Sequence, residues 1–387
     1  MKLFYTSLFI IICAEDVPSS INRISPILYN AISEDKNLIF SPFSVHYSAL
    51  SLLYEGSGGL TTATIRNALF LPDVEPTAYE YKTIMDTLNS AKNVTLRIAN
   101  KIYLQSGYKL KRSFRLVTEN YFDADAETID FGQSVAAAEK INEWVKEKTH
   151  NKIDKMFKPD DLDSDTRAVL LNAIYFKGKW SLPFPKDVTR TAKFYTSDTE
   201  FIMHPMMYQA AYFDYGEFVE LDARILRIKY ENKRFAMTII LPNSRTGIAV
   251  LEKKLSHINL NTLKLAQSKG KVWLSLPKFK IESTFNLEDP LIEIGLQNIF
   301  TNSANLSNMI EGPSNLFIQR VIQKAFIEVN EEGAEAAAST AIQAVGISAS
   351  INTLVFNADH PFMFYWDIGV NKYTCFQCRS SFYVLYI

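Results

Sequence analysis

The periodicity of apolar residues changes partway along this chain, and that change restricts the fold more than any single motif does. From Ser134 to His150, Val135, Ala138, Ile141, Val145 and then Lys148 recur at intervals of three and four. That spacing predicts a helix laying one stripe on a sheet, with Ser134 as N-cap and Glu139, Lys146 and Glu147 in solvent. Ala168 to Phe176 (AVLLNAIYF) is instead a β-rich run short enough for a buried strand. Phe235 to Leu241 reads as another strand, stopped by Pro242 and Asn243. Val272, Leu274 and Leu276 alternate with Lys271, Trp273 and Ser275, the spacing of a strand with one face inward. Helical patterns early and strand patterns late, without regular alternation, predict an α+β fold rather than a doubly wound sheet.

Length alone allows two or three domains in 387 residues. No internal repeat or long linker divides the chain, so one large domain over 15–387 is expected. With 47% hydrophobic and 13% aromatic residues it can bury a large core. Lys and Arg number 41 against 42 Asp and Glu, a net charge of −1, which argues against a molecule-wide basic field for nucleic acid or an anionic membrane. One local basic cluster, Lys109, Lys111, Arg112 and Arg115, leaves a polyanion site open beside the simpler reading of a solvated face.

The first residues predict export. Met1 and Lys2 precede an apolar stretch, Leu3 to Ala14, broken by Thr6 and Ser7 before Glu15 and Asp16. A positive end, a short apolar segment and a small residue before a charged start describe a secretory signal peptide over residues 1–14, the alternative being a first element of the core. Later stretches never approach 18 uninterrupted apolar residues, so no membrane anchor is expected. Asn93 and Asn305 each open an Asn-x-Ser/Thr glycosylation acceptor, although such triplets are common by chance.

Searches for chemistry find little. His46, His150, His204, His257 and His360 show no helical ligand spacing. Asp161, Asp163 and Asp165 imitate the start of a calcium loop, but Thr166 replaces its glycine and Asn172 its final Glu, so a solvated turn is expected. Cys375 and Cys378, three apart in a β-rich stretch, project from opposite faces about 10 Å apart. Glycines 56, 58 and 59 flank Ser57 without forming a nucleophile elbow or a phosphate loop. Lys177 to Trp180 (KGKW) reads as an edge-strand turn rather than a nucleic-acid contact. No metal, cofactor or catalytic residue is expected.

One segment belongs to neither period. Gly333 to Ser350 (GAEAAASTAIQAVGISAS) is built of small residues with little charge, helix-favouring at its front and β-branched at its back. A long, weakly committed stretch in a compact protein is usually functional or disordered.

That segment completes a resemblance. Asn37–Val45 (NLIFSPFSV), Leu171–Trp180 (LNAIYFKGKW), Val329–Thr340 (VNEEGAEAAAST) and Phe356–Phe362 (FNADHPF) resemble, in order, blocks of the serpin family. The resemblance implies three β-sheets, eight or nine helices and an exposed reactive-centre loop, here about 333–355. It implies a monomeric suicide inhibitor of serine proteases that is not itself an enzyme. In such inhibitors a protease cleaves the loop, and the freed N-terminal half inserts as a strand of the largest sheet. The hinge would be Glu331, Glu332, Gly333, Ala334, Glu335, Ala336, Ala337, Ala338, Ser339 and Thr340. Ser41, Ser44 and Asn172 match the polar cluster over which the central strands part, Trp180 the place where the loop first enters. Gln323 stands where relatives often carry His, and Cys378 where a Gly is usual.

The loop's own residues fit insertion. With the scissile bond at Ile347-Ser348, Ala334, Ala336, Ala338, Thr340, Ile342 and Ala344 would face inward, all uncharged, while Glu335 and Gln343 fall outward. Gly333 to His360 contains no Lys or Arg, which disfavours trypsin-like targets, and Ile347 suits an elastase-like or broad chymotrypsin-like pocket. The competing expectation is a non-inhibitory serpin serving as carrier, storage protein or chaperone; bulky or charged hinge residues would favour it, and Ala336 to Ser339 are small.

Overall fold

The structure, a computed structural model, describes residues 17–32, 38–41, 44–71, 77–90, 94–233, 235–255, 263–312, 315–333, 354–368 and 383–385. Eight α-helical segments occur among them: α1 (Val17–Ile32), α2 (Ser51–Gly56), α3 (Gly59–Leu69), α4 (Thr77–Asn89), α5 (Arg112–Phe122), α6 (Ser134–Lys148), α7 (Ile248–Leu255) and α8 (Glu288–Leu291). A π-helical turn, Val45–Leu50, leads directly into α2. Six of the eight helices end by Lys148, and the C-terminal half is dominated by β-structure, as the change of period predicts.

The early strands are β1 (Leu38–Phe40), β2 (Val94–Gln105), β3 (Ala124–Ile129), β4 (Ala168–Gly178), β5 (Arg190–Tyr195) and β6 (Phe201–Ala211). There follow β7 (Asp214–Phe218), β8 (Ala223–Lys229), β9 (Phe235–Pro242), β10 (Ala266–Gln267), β11 (Val272–Pro277) and β12 (Phe279–Asn286). The last are β13 (Arg320–Val329), β14 (Leu354–Asn357), β15 (Met363–Ile368) and β16 (Tyr383–Leu385). They form three principal sheets, ordered β12-β13-β4-β2-β3, β10-β7-β8-β9-β15 and β14-β11-β6-β5. β1 and β16 pair antiparallel, and β16 lies beside β15.

In the first of these sheets β13 and β4 are direct neighbours and run parallel, register-paired from Arg320–Val169 to Phe326–Tyr175. Alternate residues of β4 serve two separate cores. Val169, Leu171, Ala173 and Tyr175 pack beneath α6 with Ile141, Trp144 and Val145, whereas Leu170, Ile174 and Phe176 join the main core. β9 (FAMTIILP) is buried at every position, as a strand covered on both faces must be. β12 alternates strictly between buried and exposed.

Two local expectations need correction. Ser134 is the first residue inside α6 rather than its cap; Gln133 holds the cap position without a side-chain bond. The buried stripe is Ala137, Ala138, Ile141, Trp144 and Val145, whereas Val135 is 58% exposed because it stands about 120° round the helix from Ile141 at 100° per residue. Lys177 to Trp180 is no edge turn: it closes β4, an interior strand, and runs into the contacts described next. Asp161 and Asp163 do make turns, accepting backbone N–H groups from Lys158 and Asp165. Cys375, Cys378 and residues 1–14 lie outside the described residues.

Candidate functional site at the β4–β13 boundary and hinge

Asn100 on β2, Asn172 on β4 and Gln323 on β13 occupy one row of the sheet and are at most 2% exposed. All three point to the main core, where an unpaired amide would be costly. The Gln323 amide donates to Asn172 Oδ1 (2.7 Å) and to the Ser41 carbonyl (3.1 Å), and its oxygen accepts the Ser41 N–H (2.9 Å). Asn172 in turn donates to Asn100 Oδ1 at 2.7 Å. Ser44 joins through its N–H, given to Ser41 Oγ at 3.1 Å. The cluster therefore spans the β4–β13 boundary and ties it to the chain entering the π-helical turn.

At the end of β13, Asn330 and Gly333 exchange two backbone hydrogen bonds in a tight turn. The segment following β4 grips it. Trp180 N–H donates to the Glu332 carbonyl (3.0 Å) and Phe184 N–H to that of Glu331 (2.7 Å), while the Trp180 indole N–H reaches the Asn330 carbonyl at 2.9 Å. Trp180 is itself fixed by stacking on Tyr230, ring centroids 4.5 Å apart. Gly333 sits at φ +117°, and a Cβ there would lie 2.0 Å from the Gly178 carbonyl oxygen, so the approach requires glycine.

Charge reinforces the grip. Glu331 accepts from Thr189 Oγ1 (2.9 Å) and Lys278 Nζ (3.0 Å), and Lys186 pairs with Glu332. Burial alone would raise the Glu331 carboxyl, but the hydrogen bonds from Lys278, its own backbone and Thr189, with the charge of Lys278, hold it below the usual carboxylate range. A cavity of about 540 Å³ opens alongside, lined by Lys186, Lys278, Phe279, Glu328 and the hinge carboxylates.

Three comparisons bear on this arrangement. The family model described as "Serpin (serine protease inhibitor)" matches residues 19–375. The chain belongs to the serpin family. Relatives of this serpin include Antichymotrypsin-2 of Bombyx mori, 40% identical over 85% of this chain and 88% of that one, and Alaserpin of Manduca sexta, 38% identical over 85% and 84%. The solved structure of Serpin48, a highly specific serpin of the insect Tenebrio molitor, superposes with a TM-score of 0.84 at 32% identity, covering 95% of this chain and 97% of that one. Members of the family are protease inhibitors, not enzymes, in line with the failed searches for catalytic motifs.

The serpin framework separates the anticipated residues into two groups. Ser41, Ser44, Asn172 and Gln323 meet in the central cluster, whereas Trp180, Glu331, Glu332 and Gly333 meet at the hinge. Ala334 to Thr340, Ile347, Ser348 and Asn93 lie outside the described residues. Asn305 is exposed, its Oδ1 accepting the Ser307 N–H at 3.1 Å. Lys109, Lys111, Arg112 and Arg115 gather at the start of α5, where Lys109 pairs with Glu311 at 2.6 Å. Sequence reading missed Asn100, Thr189, Lys186 and Lys278. Of these only Asn100 carried a local signal, a polar residue at a core-facing position of β2.

Proposed function

We propose that this serpin is a secreted inhibitor of elastase- or chymotrypsin-like serine proteases that is consumed as it acts. The protease serine attacks the carbonyl of Ile347, the Ile347-Ser348 peptide bond breaks, and the amine of Ser348 leaves with the C-terminal fragment. An ester now joins protease to loop. The released segment, turning back at Gly333, runs antiparallel to both β13 and β4. Those two strands run parallel to each other, so an antiparallel strand entering between them replaces one parallel ladder with two antiparallel ones, the more stable pairing per residue.

That strand boundary is the observation that carries the reading. About a dozen added ladder bonds at roughly 0.5–1.5 kcal/mol each amount to on the order of 10 kcal/mol, comparable with the whole stability of an ordinary domain. Fourteen residues at about 3.3 Å each span roughly 46 Å, enough to carry a tethered protease along the sheet and deform its oxyanion hole. Export is supported by the leader-like residues 1–14 and by exposed Asn305 as a glycosylation acceptor. The test is incubation with pancreatic elastase and with chymotrypsin, followed by denaturing gels, mass mapping of the cut and melting of the cleaved product. A detergent-stable complex and a large rise in melting temperature on cleavage are expected; cleavage that leaves the melting temperature unmoved would overturn the proposal.

A further inference from the structure

The strand that receives the chain after the loop presents an apolar surface that the trapping mechanism does not use. β14 begins at Leu354 and pairs parallel with β11, placing Val355 opposite Trp273, and Trp273 stands opposite Ala210 of β6. Val272, Leu274 and Phe356 turn inward at 0–1% exposure, so the intervening residues face solvent. There Trp273 is 45% exposed, Val355 55%, and Tyr212, just past the end of β6, 57%. Lys271 is exposed on the same face. Single exposed apolar residues are ordinary, but Trp, Tyr and Val grouped at one end of a sheet form a patch. Trp and Tyr are also the side chains that dominate binding energy in protein interfaces.

Reach identifies the occupant. Seven residue steps separate Ile347 from Leu354, and an extended chain covers at most about 3.5 Å per step, so the scissile bond stays within roughly 25 Å of this face. A folded protease domain of about 200 residues is roughly 40 Å across. A protease closed on the bond is therefore within reach of Trp273 and Val355.

We propose that the solvent face of the β14–β11–β6 strands, centred on Trp273 with Tyr212 and Val355, is a docking surface for the target protease outside its active site. This rests on the inhibitory reading above. Contact there speeds capture; insertion takes place in a different sheet and is unaffected. The partner surface is an apolar rim beside the protease cleft, with an acidic group facing Lys271.

The experiment takes whichever of pancreatic elastase and chymotrypsin forms a stable complex faster with wild-type protein, and compares Trp273→Ala and Tyr212→Ala. Trp273→Ala should lower the second-order rate of complex formation about ten-fold, Tyr212→Ala less. Inhibitor consumed per enzyme trapped, and melting temperature, should stay unchanged. Cleavage of a free peptide spanning 340–352 by the same enzyme is the reference for loop recognition alone. If Trp273→Ala does not fold, Val355→Lys takes its place. Rates within two-fold of wild type for all variants would overturn the docking surface alone, whereas wild type forming no complex would defeat the inhibitory reading itself. Raised consumption or a lowered melting temperature would assign Trp273 to anchoring β14. A change of oligomeric state in sedimentation would assign the face to a second copy of the chain. Either result would overturn the proposal.

Discussion

Gln323 on β13 and Asn172 on β4 stand opposite each other and share a hydrogen bond of 2.7 Å across the boundary where an added strand would enter. With Ser41 bonded to the same amide, Gln323 holds the sheet shut and leaves no buried donor of its own unmet. Gln323→Leu strands the Ser41 N–H and Asn172 Oδ1 in the core, at about 1–3 kcal/mol for each unmet group. Scanning fluorimetry should show the uncleaved protein melting several degrees lower. Gln323→His should restore most of that loss and introduce a dependence on pH between about 5 and 8 that the amide cannot have.

Lys186 and Glu332 can be tested as a pair because they come from separate segments and meet only at the hinge. Lys186→Glu places two carboxylates together and loosens the turn before Gly333, so inhibitory activity should decay faster on storage as uncleaved molecules relax. Combining it with Glu332→Lys should restore the wild-type lifetime. Equal decay in the single and double variants would show that the pair does not restrain the hinge.

Ala334 is the first residue that would face the core after insertion. Ala334→Arg buries an unpaired charge, which costs several kcal/mol and stalls the strand before the protease has moved. The variant should be cleaved as an ordinary substrate, with no detergent-stable complex on gels. A complex forming at the wild-type yield would contradict the insertion account.

Ile347 sets the pocket the protease must offer. Ile347→Arg should redirect inhibition to trypsin, whose specificity pocket holds an acid, and abolish that of elastase. Mass mapping of the released fragment checks the position of the bond, and unchanged elastase inhibition would place it elsewhere.

The sequence shows the strands far better than their neighbours. Ala168 to Phe176, Phe235 to Leu241 and Val272 to Leu276 were legible because length and alternation are local properties of a strand. That β4 abuts β13 in parallel is not local: it joins residues some 150 positions apart, and the family resemblance went no further than a polar cluster between central strands. The hinge illustrates the same division. Gly333 and its small successors stand out in the sequence, but Lys278, Lys186 and Thr189 are unremarkable until folding brings them to Glu331 and Glu332. Ser275, outward by alternation, is only 6% exposed, flanked in its row by Tyr208 of β6 and Asn357 of β14. Composition of one strand carries no information about what its neighbours place on the same face.

His46 gives the protein a second dependence, on acid. Its ring, 0% exposed, joins three helices: Tyr81 of α4 hydrogen-bonds Nδ1, and Nε2 lies 2.8 Å from Ser20 Oγ of α1 and 3.4 Å from the Leu69 carbonyl of α3. Burial disfavours the imidazolium and outweighs the Leu69 carbonyl, lowering the pKa from 6.5 to about 4. The unfolded chain therefore binds a proton at His46 between about pH 6.5 and 4 that the folded chain refuses, so stability is complete above that window and falls as pH drops through it. The full difference is about 3 kcal/mol at 1.36 kcal/mol per pH unit. Urea unfolding of the uncleaved protein should show its midpoint falling from pH 7 to pH 4. His46→Gln, less stable at neutral pH, should show a shallower slope over the same interval; an equal slope would mean that other groups govern acid sensitivity and that His46 is already charged in the folded state.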